Sequence, residues 1–276
     1  MSNHKINGAG GKLSELERYY DTVPRAGGAR AEDFGPLTLF VQEGAGWPYY
    51  ARPALGGSEA TAADVERVRA RQRELKVPEA FEWVAETSPA LRAAVEAAGL
   101  HVHAHPLMVL DPAAAAVPAH PDVRLLGADD PLLTAAVTVP ALAFAAPGTA
   151  VGEAGPAELA AATAAPEAQA RRARVSGMLA SGRTVMAAAA RDGVVLCSGL
   201  YNPVGDVAEV VAVGTLPAAR RQGLALGVTA ALVARARASG IRTVFLSAGD
   251  EDVARVYARI GFRRVATALI AEPPEA

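Results

Sequence analysis

The chain has 276 residues, a formal net charge of −2 and a hydrophobic fraction of 51%, enough for one large or two ordinary domains. Charges of both signs are interspersed, so no basic footprint for nucleic acid stands out, and no long, charge-poor apolar segment reads as a membrane span. A single cysteine, Cys197, excludes an internal disulfide framework and zinc-finger spacing.

The N-terminus, MSNHKINGAG, lacks an apolar signal core, which makes a soluble cytoplasmic protein the default expectation. TLFVQ (38–42) and WPYYARP (47–53) then read as short strands, TAADVERVRARQREL (61–75) as a helix and FEWVAE (81–86) as a strand. Trp47, Tyr49 and Tyr50 are candidates either for a pocket wall or for a core contact. SPALRAAVEAAG (88–99) reads as a second helix, with Ser88 as N-cap and Pro89 at the first helical position. LHVHAHPLMVL (100–110) closes this half as a strand. Its His101, His103 and His105 alternate on one face, which reads as a solvated strand face in preference to a metal clip. DPAAAAVPAHP (111–121) is poor ladder or helix material and marks a boundary, giving domains 1–115 and 116–276.

In the second half, helices are expected at 130–143, weakened by Pro131 and Pro140, and at 157–179. Three strands follow at 183–190, 193–201 and 207–215, joined as hairpins through Arg191-Asp192-Gly193 and the segment 202–206. The period then changes: 224–239 reads as a helix, 243–248 as a strand, 251–260 as a helix and 262–271 as a final strand. The whole predicts an α/β or α+β fold, a mixed central sheet flanked by helices. LRAAVEAAGL (91–100) superposes without a gap on VARVYARIGF (253–262), Gly99 over Gly261, so the halves are expected to repeat one helix–strand–helix–strand plan. Val95 stands where the second copy has Tyr257.

TLPAARRQGLA (215–225) joins a strand to a helix start, where free amides and the aligned peptide dipoles favour an anion. Gly223 permits close approach or an unusual φ, Ala225 keeps the next contact small, and Arg220 and Arg221 add positive charge. The stretch is shaped for a phosphate or pyrophosphate; the plain alternative is an exposed basic helix cap. It is no triphosphatase loop, for it has no Gly-Lys-Ser/Thr, and no dinucleotide fingerprint, for the leading glycine is absent.

The second half resembles the GNAT superfamily of acetyl-CoA-dependent N-acetyltransferases. Arg220, Gly223 and Ala225 match that family's Arg/Gln-x-x-Gly-x-Gly/Ala turn, and Ala254, Tyr257, Gly261 and Phe262 match its later Ala-x-x-Tyr-x-x-x-Gly-Phe. The resemblance implies two GNAT-like domains in tandem, the first degenerate. It implies acetyl-CoA as cosubstrate with no metal, its pantetheine arm held by the backbone at Val213 and Thr215. Its pyrophosphate would be cradled by the amides of Gln222, Gly223, Leu224 and Ala225 beside Arg220 and Arg221. Glu209, fourteen residues before Gly223, takes the place of the catalytic base, and Tyr257 that of the acid which protonates the leaving thiolate. Glu251 replaces an asparagine often found in the family, which removes one donor.

The expected acceptor is a small-molecule amine or a peptide, attacked directly in a ternary complex. The first half is expected to wall the acceptor groove or to mediate a homodimer. Neither nucleic acid nor membrane is an expected partner. The rival reading is a non-catalytic acetyl-CoA sensor or scaffold. Cys197 as an acyl-accepting nucleophile is the lesser alternative, because no histidine lies near it in sequence.

Overall fold

The computed structural model describes residues 4–44 and 48–274, with Trp47 outside the described residues. The first half runs α1 (His4–Ala26), β1 (Ala29–Asp33), β2 (Leu37–Gln42), β3 (Ala51–Pro53), α2 (Ala62–Leu75), β4 (Phe81–Val84), α3 (Leu91–Ala97) and β5 (His101–Leu110). The second half begins with β6 (Val123–Leu126), α4 (Leu133–Phe144), α5 (Pro156–Thr163), α6 (Pro166–Ala180) and β7 (Val185–Arg191). It continues with β8 (Val194–Val204), β9 (Val207–Thr215), α7 (Leu224–Ala238), β10 (Thr243–Ser247), α8 (Glu251–Ala258) and β11 (Phe262–Glu272). The chain folds as two compact units, residues 1–107 with 265–276, and residues 108–264. The division falls inside β5, and the described residues 265–274 pack with the first unit. None of the described helices is long and apolar enough to cross a membrane.

In the first unit the strand order is β1-β2-β3-β4-β11-β5. β1 and β2 form an antiparallel hairpin, β3 meets β4 in parallel at Ala51↔Phe81, and β11 lies antiparallel on β4 from Ala268↔Val84 to Ala271↔Phe81. Leu37, Leu39, Phe81, Trp83, Val65 and Val68 form its core with Leu269 and Ala271 from β11. The helix read over 61–75 begins at Ala62, with Thr61 capping it in a reciprocal box with Asp64. Ser88 and Pro89 do not start α3 as expected. The Ser88 carbonyl accepts from the Leu91 amide in a turn, and the helix begins at Leu91 with an uncapped Ala90. α1 was not foreseen, although Leu16, Tyr19 and Tyr20 bury one face of it at helical spacing.

In the second unit the order is β10-β9-β8-β7-β6, with β10 parallel to β9 and the remaining neighbours antiparallel. The hairpin at Asp192 and Gly193 has both residues at positive φ, 49° and 77°. The helix expected at 157–179 is two helices, because Pro166 cannot continue the first and instead opens the second. α4 survives Pro140 by an outside donor. A proline there gives the Ala136 carbonyl no amide partner, and the Ser198 hydroxyl of β8 donates to it at 2.6 Å. α7 covers the other face of the sheet through Leu224, Val228, Leu232 and Ala236, all buried. The 111–121 linker is anchored along the unit: Arg237 donates to the carbonyls of Asp111 and Ala114, and a Cβ on Gly261 (φ 104°) would collide with Ala114.

Candidate active site

β9 pairs with β10 through Val207, Ala208 and Glu209 only, and the register ends at Phe245↔Glu209. β9 runs on to Thr215, so past Glu209 its edge is open and the two parallel strands form a fork. Leu216 donates its amide to Leu196 on β8. Strand alternation therefore turns the backbone groups of Val213 and Thr215 to the opposite, open edge. These are ready hydrogen-bonding groups for an extended ligand arm.

Past Thr215 the chain makes a 3-10 turn, Pro217–Ala219, and enters α7 through an exposed corner, 221–223. Arg221 and Gly223 both lie in the left-handed region, at 66° and 78°. For Gly223 this is the natural choice. For Arg221 it is a strain of about 1–3 kcal/mol, of a kind that concentrates at functional sites. Gly223 supplies no side-chain cap, so the first-turn amides of α7 are left to an outside acceptor at the positive end of the helix.

The faces of β9 decide where chemistry can occur. β8 and β9 pair as Leu200↔Val211 and then Ser198↔Gly214, so Gly199 opposes both Ala212 and Val213. Ala212 takes a φ of 54° in this bulge. Glu209 and Val211 thus share a face with Asn202, Leu200 and Ser198, the face covered by α4. Thr215 shares the opposite face with Cys197 and Tyr201. Regular pairing would have put Glu209 and Thr215 together; the bulge separates them.

Tyr257 projects from α8 with its ring edge-on to Phe262, centroids 6.1 Å apart, and is 7% exposed. Burial, and then the neighbouring Cys197 thiol, push its phenol pKa upward, so it is held as a neutral donor. The Cys197 thiol is fully buried, accepts from Thr215 Oγ1 at 3.2 Å, and is pushed up to about 12 by desolvation. Such a thiol stays protonated, which removes it as a nucleophile. Glu209 thus lies on the α4 face of the β8–β9 pair, while Tyr257 lies near Cys197, whose side chain is on the opposite face.

The arginines of the turn separate in role. The Arg220 guanidinium donates to the carbonyls of Ala143, Ala146 and Ala150, at 2.9, 2.5 and 3.0 Å. It ties the end of α4 and its following loop to the turn, and the loop is fixed further by Gly152 N–H to Pro217 O and Ala218 N–H to Ala154 O. Arg191 donates to the Gln222 side chain at 2.6 Å, leaving the Gln222 amide to the corner. Glu251 is paired with Arg264 at 2.7 Å, while Asp250 caps α8 through the Val253 amide. His101 and His103 are exposed, and no group of three potential metal ligands occurs among the described residues. Tyr49 and Tyr50 pack edge-on against each other, centroids 6.2 Å apart. The clamp by Arg220 and the 143–155 wall were not read from the sequence. The only signal was Arg220 itself, which charge alone assigns to the phosphate.

Residues 159–262 match the sequence model of the acetyltransferase (GNAT) family. A GCN5-related N-acetyltransferase from Kribbella flavida superposes with a TM-score of 0.68 at 21% identity, covering 96% of each chain. A putative GNAT-family acetyltransferase from Novosphingobium aromaticivorans gives 0.52 at 18% identity, over 91% of this chain and 94% of that one. A tandem GNAT protein from the clavulanic acid biosynthesis pathway gives 0.50 at 19%, over 87% and 79%. No curated protein matches the chain.

Proposed function

We propose, from the premise that residues 159–262 form a GNAT-family acetyltransferase domain, that this chain is an N-acetyltransferase using acetyl-CoA and a primary amine. The domain is one for acyl transfer, and the first unit shares the tandem fold. The observation that carries the finer reading is the fork: β9 leaves β10 at Glu209 and presents a free strand edge that leads to the left-handed corner and the uncapped start of α7. Such an edge suits the amides of a pantetheine arm, and such a corner suits a pyrophosphate.

When bound, acetyl-CoA supplies an acetyl thioester. Val213 and Thr215 hold the arm through their backbone groups, and the amides of Gln222, Gly223, Leu224 and Ala225 hold the phosphates. Arg221 adds charge at the exposed corner, and Arg220 acts by holding the wall beside it. Glu209, at the base of the fork on the α4 face, takes the proton that the amine sheds as its nitrogen bonds to the acyl carbon, directly or through water. Tyr257, on the opposite face, gives its phenolic proton to sulfur as the carbon–sulfur bond breaks. The phenol recovers a proton from solvent, and the products are an N-acetylated amine and the free thiol of CoA. An amide aimed into the fork from Val213 stabilises the developing oxyanion.

A screen of small amines and peptides for thiol release from acetyl-CoA tests this reading. Turnover with at least one amine is the expected result. Tight acetyl-CoA binding with no acetylation of any acceptor would leave the non-catalytic sensor instead.

A further inference from the structure

The repeat seen in sequence holds in three dimensions: β3-α2-β4-α3 stands for β9-α7-β10-α8, and Gly99 and Gly261 both take positive φ, 82° and 104°. In the second unit the candidate site lies between the segment after β9 and the segment after β10. In the first unit the corresponding segments, 53–60 after β3 and 87–91 after β4, wall a cavity of about 540 Å³, with α1 on its third side. That volume suits a small ligand. The cleft has therefore been kept in the half whose phosphate turn is missing.

Its chemistry differs from that of its counterpart. The start of α2 is closed by its own side chains: Asp64 Oδ2 accepts from the Thr61 amide and hydroxyl, both at 2.7 Å, and Thr61 accepts from the Asp64 amide. A carboxylate thus occupies the place where the second unit leaves bare amides, and it repels phosphate. The cavity wall instead carries both signs of charge. Glu17 is fixed on one carboxylate oxygen by the Thr87 hydroxyl at 2.6 Å and on the other by Arg52 at 3.0 Å. Arg52 is itself 3% exposed and lies over the Tyr20 ring, 4.3 Å from its centroid. Glu17 is therefore held in place before any ligand arrives. Arg18, one residue on, and Glu59, on the 53–60 segment, are exposed at the same wall, with Leu55 offering apolar surface at 49% exposure.

We propose that this cavity is a second ligand site, for a small phosphate-free zwitterion of the amino-acid or dipeptide class. The ammonium group faces Glu17 and Glu59, the carboxylate faces Arg18, and the side chain lies on Leu55. The assignment stands on the first unit alone and does not depend on acyl transfer in the second.

Calorimetry on the full chain tests it, with L-leucine and glycyl-L-leucine as probes and their N-acetylated and amidated forms as controls. At least one zwitterion is expected to bind, and blocking either end is expected to weaken it by about tenfold or more, the loss of one hydrogen bond to a charged group. Arg18→Met and Glu59→Gln, both at exposed positions, should each weaken binding comparably without lowering the melting temperature. Glu209→Gln and saturating CoA should leave it unchanged, which separates this cavity from the acceptor groove of the second unit. Failure of both zwitterions to bind at about 10 mM, an affinity below the useful range, overturns the proposal. So does binding that ignores the Arg18 and Glu59 substitutions, or that CoA displaces.

Discussion

The guanidinium of Arg220 donates to the main-chain carbonyl of Ala143 at 2.9 Å, joining residues 77 positions apart. The Ala143 carbonyl also accepts from the Ala146 amide at 3.3 Å, so the guanidinium adds a charged donor that reinforces the end of α4. Arg220→Met should therefore loosen the 143–155 wall, with amide exchange there accelerated about tenfold and stability lowered by about 1–3 kcal/mol. Acetyl-CoA affinity should change by less than about threefold, since the corner amides remain. Hydrogen-exchange mass spectrometry and calorimetry check both halves. An unaltered wall with collapsed cofactor affinity would return Arg220 to the phosphate.

Tyr257 donates from a buried phenol whose proton is firmly held. Tyr257→Phe keeps the ring against Phe262 and removes only the donor, so kcat should fall about 10²–10⁴-fold. Acetyl-CoA should bind within about twofold of the parent value, because only the departing thiolate feels the loss. Single-turnover kinetics with an accepted amine gives the answer.

Glu209 stands at the point where β9 and β10 part. Glu209→Gln should lower kcat by about 10²-fold or more near neutral pH. The activity of the variant should then climb with pH, as the amine sheds its own proton in solution and no longer needs a carboxylate. A parallel fall across the whole pH range would assign Glu209 to folding or positioning.

Gly223 has open space around its Cβ direction, so a methyl group clashes with nothing in the protein, and only its φ of 78° resists substitution. Gly223→Ala should cost about 1–2 kcal/mol of stability. Its larger effect should be on acetyl-CoA, about tenfold weaker, because the added methyl stands where a phosphate approaches the backbone. Titration calorimetry alongside thermal melts separates the two effects.

Burial pushes the Glu82 carboxyl in the first unit up to about 7, against the pull of Arg52. Its folded pKa lies above its unfolded value of about 4.3. Between those values the unfolded chain releases a proton that the folded chain keeps, so stability falls as pH rises through that window and levels off above about 7. Glu82→Gln should remove this slope and raise stability at pH 8 by about 1–3 kcal/mol. Denaturant melts at pH 5 and pH 8 make the comparison.

Much of the second unit could be read from sequence because its punctuation is local. Gly223, Gly240 and Gly261 bracket two helices, and Asp192-Gly193 fixes a hairpin. The halves of the split helix were missed where Pro166 was outweighed by the helical composition around it. α1 was missed because Gly8, Gly10 and Gly11 mask its start, while the stripe of Leu16, Tyr19 and Tyr20 that secures it comes later. The bulge was illegible for another reason. Ala212 carries no mark of its positive φ, and only pairing with β8 reveals it. The Arg220 clamp lay out of reach for the same cause, since its acceptors are backbone carbonyls with no sequence identity of their own.

The composition of the first unit orders the chain in time. A ribosome delivers β1 to β4 long before residues 265–274, yet Leu269 and Ala271 are part of the core those strands must close. Until that late strand arrives, the edge of β4 stays unfilled and open to wrong partners, a state that invites chaperones or aggregation. A cut in the 111–121 linker would strand that segment on the wrong fragment, so the halves of this protein are separable on paper and inseparable as polypeptides.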